Sequence, residues 1–233
     1  MVFEGGHVAG VVFQSPLDFI AAITPMAPSA AAFAADAIAR SGSVLPGASG
    51  EAGTAARFAG QWAESTGCAA VPTFGQRLYR FGPPGPLPDV PGSLRPAQAR
   101  DRDALVAWMA CFREEVGPTG PARDPGALVD RRMAAGQLWV WDVDRRPTSL
   151  AVLSSTAAGV ARIGPVFTPP DLRRRGYAGA CVAGVSRLVV EQGGSPILYT
   201  DLANPTSNSL YRRLGYEAVI ECIAYDFRPR PRL

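Results

Sequence analysis

The residues best suited to chemistry lie in the run Gly164-Pro-Val-Phe-Thr-Pro-Pro-Asp-Leu-Arg173-Arg-Arg-Gly-Tyr-Ala178. A strand pattern ends at Thr168, prolines turn the chain, and three arginines lead into Gly176 and a helical pattern. The first N–H groups of a helix lack intrahelical acceptors and carry partial positive charge. Gly176 and the small Ala178 let a phosphate come close to the backbone, and arginine adds forked donors. Such a cradle suits a pyrophosphate, although three solvated arginines at a helix start would have the same composition. A second segment, Asn204-Pro-Thr-Ser-Asn208-Ser-Leu-Tyr211-Arg-Arg-Leu-Gly-Tyr216, offers a phenol at Tyr211. A phenol is a weak acid that can donate a proton or a hydrogen bond. Tyr211 also shares the apolar spacing of Leu210, Leu214 and Tyr216, which fits plain core packing. Asn204 and Asn208 suit turns and helix caps equally well. Candidate bases are Glu115, its neighbour Glu114, and Asp201 at a strand end, each of which also reads as a surface charge.

Composition removes other chemistries. All 23 basic residues among the 233 are arginine, so a Schiff base, lysine-anchored pyridoxal phosphate and a Walker loop are excluded. The single histidine, His7, argues against a Ser-His-Asp triad and a multi-His metal site, so no metal is expected. Cys68, Cys111, Cys181 and Cys222 are far apart and read as buried small apolar residues. A formal net charge of +3, with arginines spread along the chain, does not suggest nucleic-acid binding. The longest apolar stretch, Phe19 to Ile38, is broken by Pro25 and Pro28 and carries Asp36, so no membrane span is expected. Without a basic cluster near Glu4, the start does not read as a signal peptide, and a cytoplasmic monomer or homodimer is the expectation.

Elements that would position these residues follow from periodicity. The Pro/Gly-rich residues 83–92 read as a linker between a smaller N-terminal α/β region, 1–82, and a second domain, 93–228. The second domain should open with a strand at Ser93–Pro96 and a helix from Ala104 to Glu115. A helix from Asp124-Pro125 to Gly136 follows, then strands at 138–143, 148–153 and 160–168. Next come a helix from Gly176 to Glu191, a strand at 197–202, a short helix from Asn208 to Leu214 and a strand from Ala218 to Phe227. This order gives a three-layer α/β fold with a mixed central sheet. In the N-terminal region, Val8–Phe13 and Val71–Phe81 read as strands, and Ser29–Arg40 and Thr54–Glu64 as helices. Strand ends Tyr79-Arg-Phe81 and Tyr225-Asp-Phe227 echo each other, so the region is either a degenerate copy of the second domain or an unrelated cap. If it is a copy, Gln14-Ser15-Pro16-Leu17 stands where the second domain has its arginine-rich turn.

Taken together, Arg173-x-x-Gly176-x-Ala178 after a strand, and Asn204-x-x-Ser207-x-x-x-Tyr211-x-x-x-Gly215-Tyr216 downstream, resemble the two signature segments of the GCN5-related N-acetyltransferases (GNATs). Over residues 92–228 the likeness is closest to the FR47-like members. The resemblance implies a GNAT fold and transfer of an acetyl group from acetyl-CoA to a primary amine of a small molecule or peptide, by direct attack. Transfer of a longer acyl group, or a non-catalytic acyl-CoA-binding role, remains open beside it. The resemblance further implies that Val166, Phe167 and Thr168 line the pantetheine arm and that one of their N–H groups faces the thioester carbonyl. Arg173, Arg174, Arg175, Gly176, Tyr177 and Ala178 would hold the pyrophosphate. Asn204 and Asn208 would lie on the cofactor, and Tyr211 would protonate the leaving thiolate. Glu115 is the expected general base, with a water chain as its rival.

Overall fold

A computed structural model describes residues 1–83, 85–86, 89–117 and 124–230. The chain is mixed α/β and forms two compact units. Unit 1 comprises 1–78, 201–203 and 219–233; unit 2 comprises 79–200 and 204–218. The units therefore differ from a linear cut at 83–92, because each is completed by a strand segment from the other half of the sequence.

Unit 2 holds β7 (Ser93–Pro96), α3 (Arg102–Val116), α4 (Pro125–Ala134), β8 (Leu138–Val143), β9 (Arg146–Leu153), β10 (Val160–Phe167), α5 (Tyr177–Glu191), β11 (Ser195–Asp201) and α6 (Pro205–Arg213). Its strands lie in the order β11-β10-β9-β8-β7. Alternation along β8 and β9 sorts side chains to two faces, as the two-residue period of a strand requires. Leu138, Val140, Leu150 and Val152 join Leu105 and Met109 of α3 and Val129 of α4. Trp141 and Ala151 instead meet Ala180, Cys181, Val182 and Val185 of α5. Helices thus cover both faces, which accounts for the three layers.

An arginine fastens the start of this unit. Arg95 of β7 makes paired hydrogen bonds to Asp101, at 2.6 and 3.0 Å, and a third at 2.6 Å to Asp142 of β8. Burial alone would raise the Asp101 carboxyl. The Arg95 hydrogen bond, the Gln98 N–H and the charges of Arg95 and Arg100 outweigh it and hold the carboxyl below its usual range. The described residues of the Pro/Gly run include packed ones. Pro91 accepts from the Trp141 indole at 2.9 Å, Gly82 N–H donates to Gly215, and Val90 joins the α5-side core. An apolar side chain and satisfied carbonyls make this stretch part of unit 2.

Unit 1 begins with a hairpin, β1 (Val2–Glu4) and β2 (His7–Gly10). It continues through β3 (Val12–Phe13), β4 (Ala21–Ile23), α1 (Pro28–Arg40), β5 (Gly47–Glu51), α2 (Ala52–Thr66) and β6 (Ala69–Phe81), whose last three residues belong to unit 2. The chain's last strand, β12 (Tyr216–Arg228), enters unit 1 from Val219 and pairs antiparallel with β5. Phe58 and Trp62 of α2 and the alanines of α1 form its core, with Phe227 of β12 stacked on Trp62 at 5.5 Å.

Sequence patterning identified the long elements and missed short ones. The expected single strand at 8–13 is two strands broken at Val11, and β4 and β5 were not foreseen. Of the cysteines, Cys181 is buried, Cys68 and Cys222 are half-buried, and Cys111 is exposed, against the expectation of burial for all four. Among the described residues no helix is long and apolar enough to cross a membrane.

Candidate cofactor and proton-transfer site

The site starts with a fork between two strands. β10 pairs parallel with β11 over Val160–Arg162 against Ser195–Ile197, and both strands continue beyond that stretch. On its other side β10 pairs with β9, with a register shift between Ile163 and Val166 at the cis Gly164–Pro165 peptide. A bulge of this kind redirects a strand and frees backbone groups from the ladder. Val166, Phe167 and Thr168 follow the bulge, on the arm of the fork next to β9.

The arginine-rich turn comes next. A short 3-10 turn, Pro170–Leu172, leads to Arg173, and α5 opens at Gly176 with no side chain capping it. Arg174 and Gly176 both take left-handed conformations, with φ of +63° and +84°. Left-handed residues in a turn can bring neighbouring N–H groups toward a common side, as in anion nests. A left-handed arginine is unfavourable in isolation, so the surrounding turn must impose it. Gly176 is also required sterically, because a Cβ there would stand 2.7 Å from Val90 Cγ1. Tyr177 is buried under the helix start and Ala178 is half-buried, while Arg173, Arg174 and Arg175 are exposed.

The three arginines are not equivalent. Arg173 Nε donates to the Thr168 carbonyl at 2.9 Å, its Nη2 donates to Glu115 at 2.5 Å, and its guanidinium lies 5.6 Å from the Phe167 ring centroid. Arg175 donates back to the Asp171 carbonyl at 3.1 Å. Arg174 has no protein partner among the described residues.

Tyr211 lies on α6, buried between Tyr79 at 6.4 Å and Tyr216 at 5.9 Å between ring centroids. Burial pushes its phenol up to about 12. It is therefore protonated near neutrality and able to donate. Asn204 and Asn208 take up structural duties. Asn204 caps α6 by accepting from Ser207 N–H at 3.0 Å, so the helix starts at Pro205, three residues before the expected Asn208. Asn208 is buried, accepts from the Tyr79 hydroxyl at 3.0 Å and donates to the Asn204 carbonyl at 2.8 Å. With both ends of its amide engaged, Asn208 braces α6. Glu115, the expected general base, has its half-exposed carboxylate ion-paired to Arg173. Asp201 accepts from Ala203 N–H at 2.8 Å at the end of β11.

Tyr79 is the site neighbour that sequence reasoning missed. It belongs to the first half of the chain but packs against Tyr211 and hydrogen-bonds Asn208. Its only sequence signal was the Tyr-x-Phe echo at the ends of β6 and β12. Trp108 lies 6.3 Å from Phe167 between ring centroids, and Trp141 is buried with its indole N–H satisfied.

Comparison with known proteins places this architecture. The chain superposes on an acetyltransferase of the GNAT family from Colwellia psychrerythraea with a TM-score of 0.65, at 11% identity over 97% of this chain and 83% of that one. A GCN5-related N-acetyltransferase from Sphaerobacter thermophilus gives 0.61, at 17% identity over 96% and 78%. A tandem GNAT protein from the clavulanic acid biosynthesis pathway gives 0.55, at 12% identity over 99% and 82%. No curated protein sequence matches the chain. These superpositions show that the chain has the fold of these GNAT-family structures. Residues 145–224 match the family model described as FR47-like protein.

Proposed function

We propose that the chain transfers the acetyl group of acetyl-CoA to a primary amine of a small molecule or peptide. The observation that carries this reading is the sequence of features along one stretch of backbone: the β10–β11 fork, the left-handed Arg174 and Gly176, and the uncapped start of α5. This stretch offers a strand edge for an extended amide-bearing arm and, a few residues on, a concave N–H cluster with positive charge for a diphosphate. Both halves of CoA therefore find complementary groups in this chain.

When bound, acetyl-CoA supplies an activated acyl group as a thioester, open to an amine whose C–N bond forms as the C–S bond breaks. The backbone of Val166, Phe167 and Thr168 is the proposed seat of the thioester arm, where an N–H can stabilise negative charge developing on the carbonyl oxygen. Arg174, Gly176, Tyr177 and Ala178 are the proposed diphosphate contacts. Tyr211 keeps its proton near neutral pH and supplies it, or a hydrogen bond, to the departing sulfur. The amine must lose one proton as the sulfur gains one, and water is the proposed acceptor of it because Arg173 engages Glu115.

Unit 1 is proposed to be a copy that lacks a cofactor site. Its β3–β4 antiparallel pair, β4–β5 parallel pair and intervening α1 repeat the plan of β9–β10, β10–β11 and α5. The turn in the place of 168–176 is then Thr24-Pro25-Met26-Ala27, which lies further along the chain than the expected Gln14–Leu17.

Incubating the chain with acetyl-CoA, a panel of amines and a thiol reagent tests the activity. Thiol release that requires an amine supports transfer. Tight CoA binding with no amine-dependent release would overturn transfer in favour of an acyl-CoA-binding role.

A further inference from the structure

Building on the acyl-CoA reading, we infer that Arg173 and Glu115 act as a pair of positioning residues, and that the diphosphate is met by Arg174 and the α5 backbone instead of Arg173. Three contacts fix Arg173 from different directions. Its Nε bonds the Thr168 carbonyl across the turn, its Nη2 bonds Glu115 at the end of α3, and its face covers Phe167. Phe167 in turn packs toward Trp108 of α3. The guanidinium thus buckles the end of β10, the turn Pro169–Leu172 and the last turn of α3 into one piece. Moving this guanidinium off the turn and onto a phosphate would give up a charged hydrogen bond of 2.5 Å and a backbone bond.

Arg174 differs on each count. It is exposed and left-handed, has no protein partner among the described residues, and stands two residues before the uncapped Gly176. Arg175 is tied back to the Asp171 carbonyl. The charge available to an anion at this helix start is therefore that of Arg174, supplemented by the N–H groups of the nest. Glu115 in this arrangement sets the turn through Arg173 and touches neither cofactor nor acceptor.

The test is CoA affinity by titration calorimetry on the full chain, with thermal melting as a check of folding. Arg174→Gln should raise the CoA Kd about tenfold, the loss of one charge-assisted contact. Arg173→Gln and Glu115→Gln should each raise it about threefold, and the double variant should be no worse than either single one, because both remove the same bond. Arg173→Glu alone should weaken binding further, and adding Glu115→Arg should bring Kd back to within about threefold of the parent by restoring the pair in reverse. A charge-swapped chain as poor as Arg173→Glu alone would overturn the inference, since it would place the Arg173 charge on the diphosphate. Additive losses from Arg173→Gln and Glu115→Gln would overturn it as well, and decide the matter should the swapped chain fail to fold. A parent chain with no affinity for CoA would instead sink the acyl-CoA reading itself, and this inference with it.

Discussion

Two helices, α2 of unit 1 and α6 of unit 2, follow the second strand of a parallel pair and begin at a capping side chain. Glu51 caps α2 by accepting from Gly53 and Thr54 N–H at 2.9 and 2.8 Å; Asn204 caps α6 through Ser207 N–H. Seven residues after the cap, α2 carries Phe58 and α6 carries Tyr211, both buried in their own cores. The turns that precede α1 and α5 diverge further. One is four residues long, without arginine or glycine, and the other holds three arginines and two left-handed residues. Packing and capping recur in both units, whereas the hydroxyl and the arginine-rich, left-handed turn are found in one. Scaffold and chemistry are therefore separable in this fold, since the first is set by apolar volume and cap geometry and the second by a few polar atoms.

The sharpest way to break this comparison is to cut the core of unit 1. Phe58→Ala should cost about 3–5 kcal/mol, measured by denaturant unfolding, through lost burial and a residual cavity. Tyr211→Phe keeps the same core volume. It should lower turnover about 100-fold, roughly 3 kcal/mol of barrier, with CoA affinity unchanged within twofold, as steady-state kinetics and calorimetry would show. Equal turnover would make Tyr211 a mere counterpart of Phe58. Arg174→Glu should weaken CoA binding about thirtyfold, near 2 kcal/mol, whereas Arg57→Glu on the exposed face of α2 should leave it unaltered. The smallest effect belongs to the caps. Glu51→Ala should cost about 1 kcal/mol of stability at neutral pH. The Gly53 N–H, then the Thr54 N–H and hydroxyl, hold the Glu51 carboxyl below its usual value of 4.5. Its contribution is then complete above that value and fades as pH falls through the lower, folded one. Melting curves of parent and Glu51→Ala should converge in acid; a gap independent of pH would contradict the cap.

Much of unit 2 was legible because its signals are local. The arginine-rich turn, the α5 pattern and the Asn204–Tyr216 segment each lie within a short stretch, where helix-start physics and apolar spacing can be read directly. Unit 1 hides its strands. β5 is Gly-Ala-Ser-Gly-Glu, with none of the branched or aromatic residues that mark a strand. The reason lies in its neighbours, because a Cβ at Gly47 would fall 2.3 Å from the Tyr225 carbonyl oxygen and one at Gly50 2.6 Å from that of Ile23. Distant pairings were equally invisible. Glu115 and Arg173 are 58 residues apart, and Tyr79 and Asn208 are 129 apart, so nothing in either segment announces the other. Those two contacts carry the proposal that Glu115 is a brace, and they give Asn208 a supporting part in α6.

The completion of unit 1 by residues from Val219 onward has a bearing on biosynthesis. A ribosome that has made everything through Ala218 has released all of α1 and α2, yet the part of β12 that pairs with β5 on the side away from β4 has not emerged. Until it does, the Ala48 edge and the Trp62 face lack their partners, a window in which a nascent chain is open to chaperones and to wrong pairings. A stop codon after 218 would thus be expected to injure the part of the protein made first, leaving the part made last the better folded.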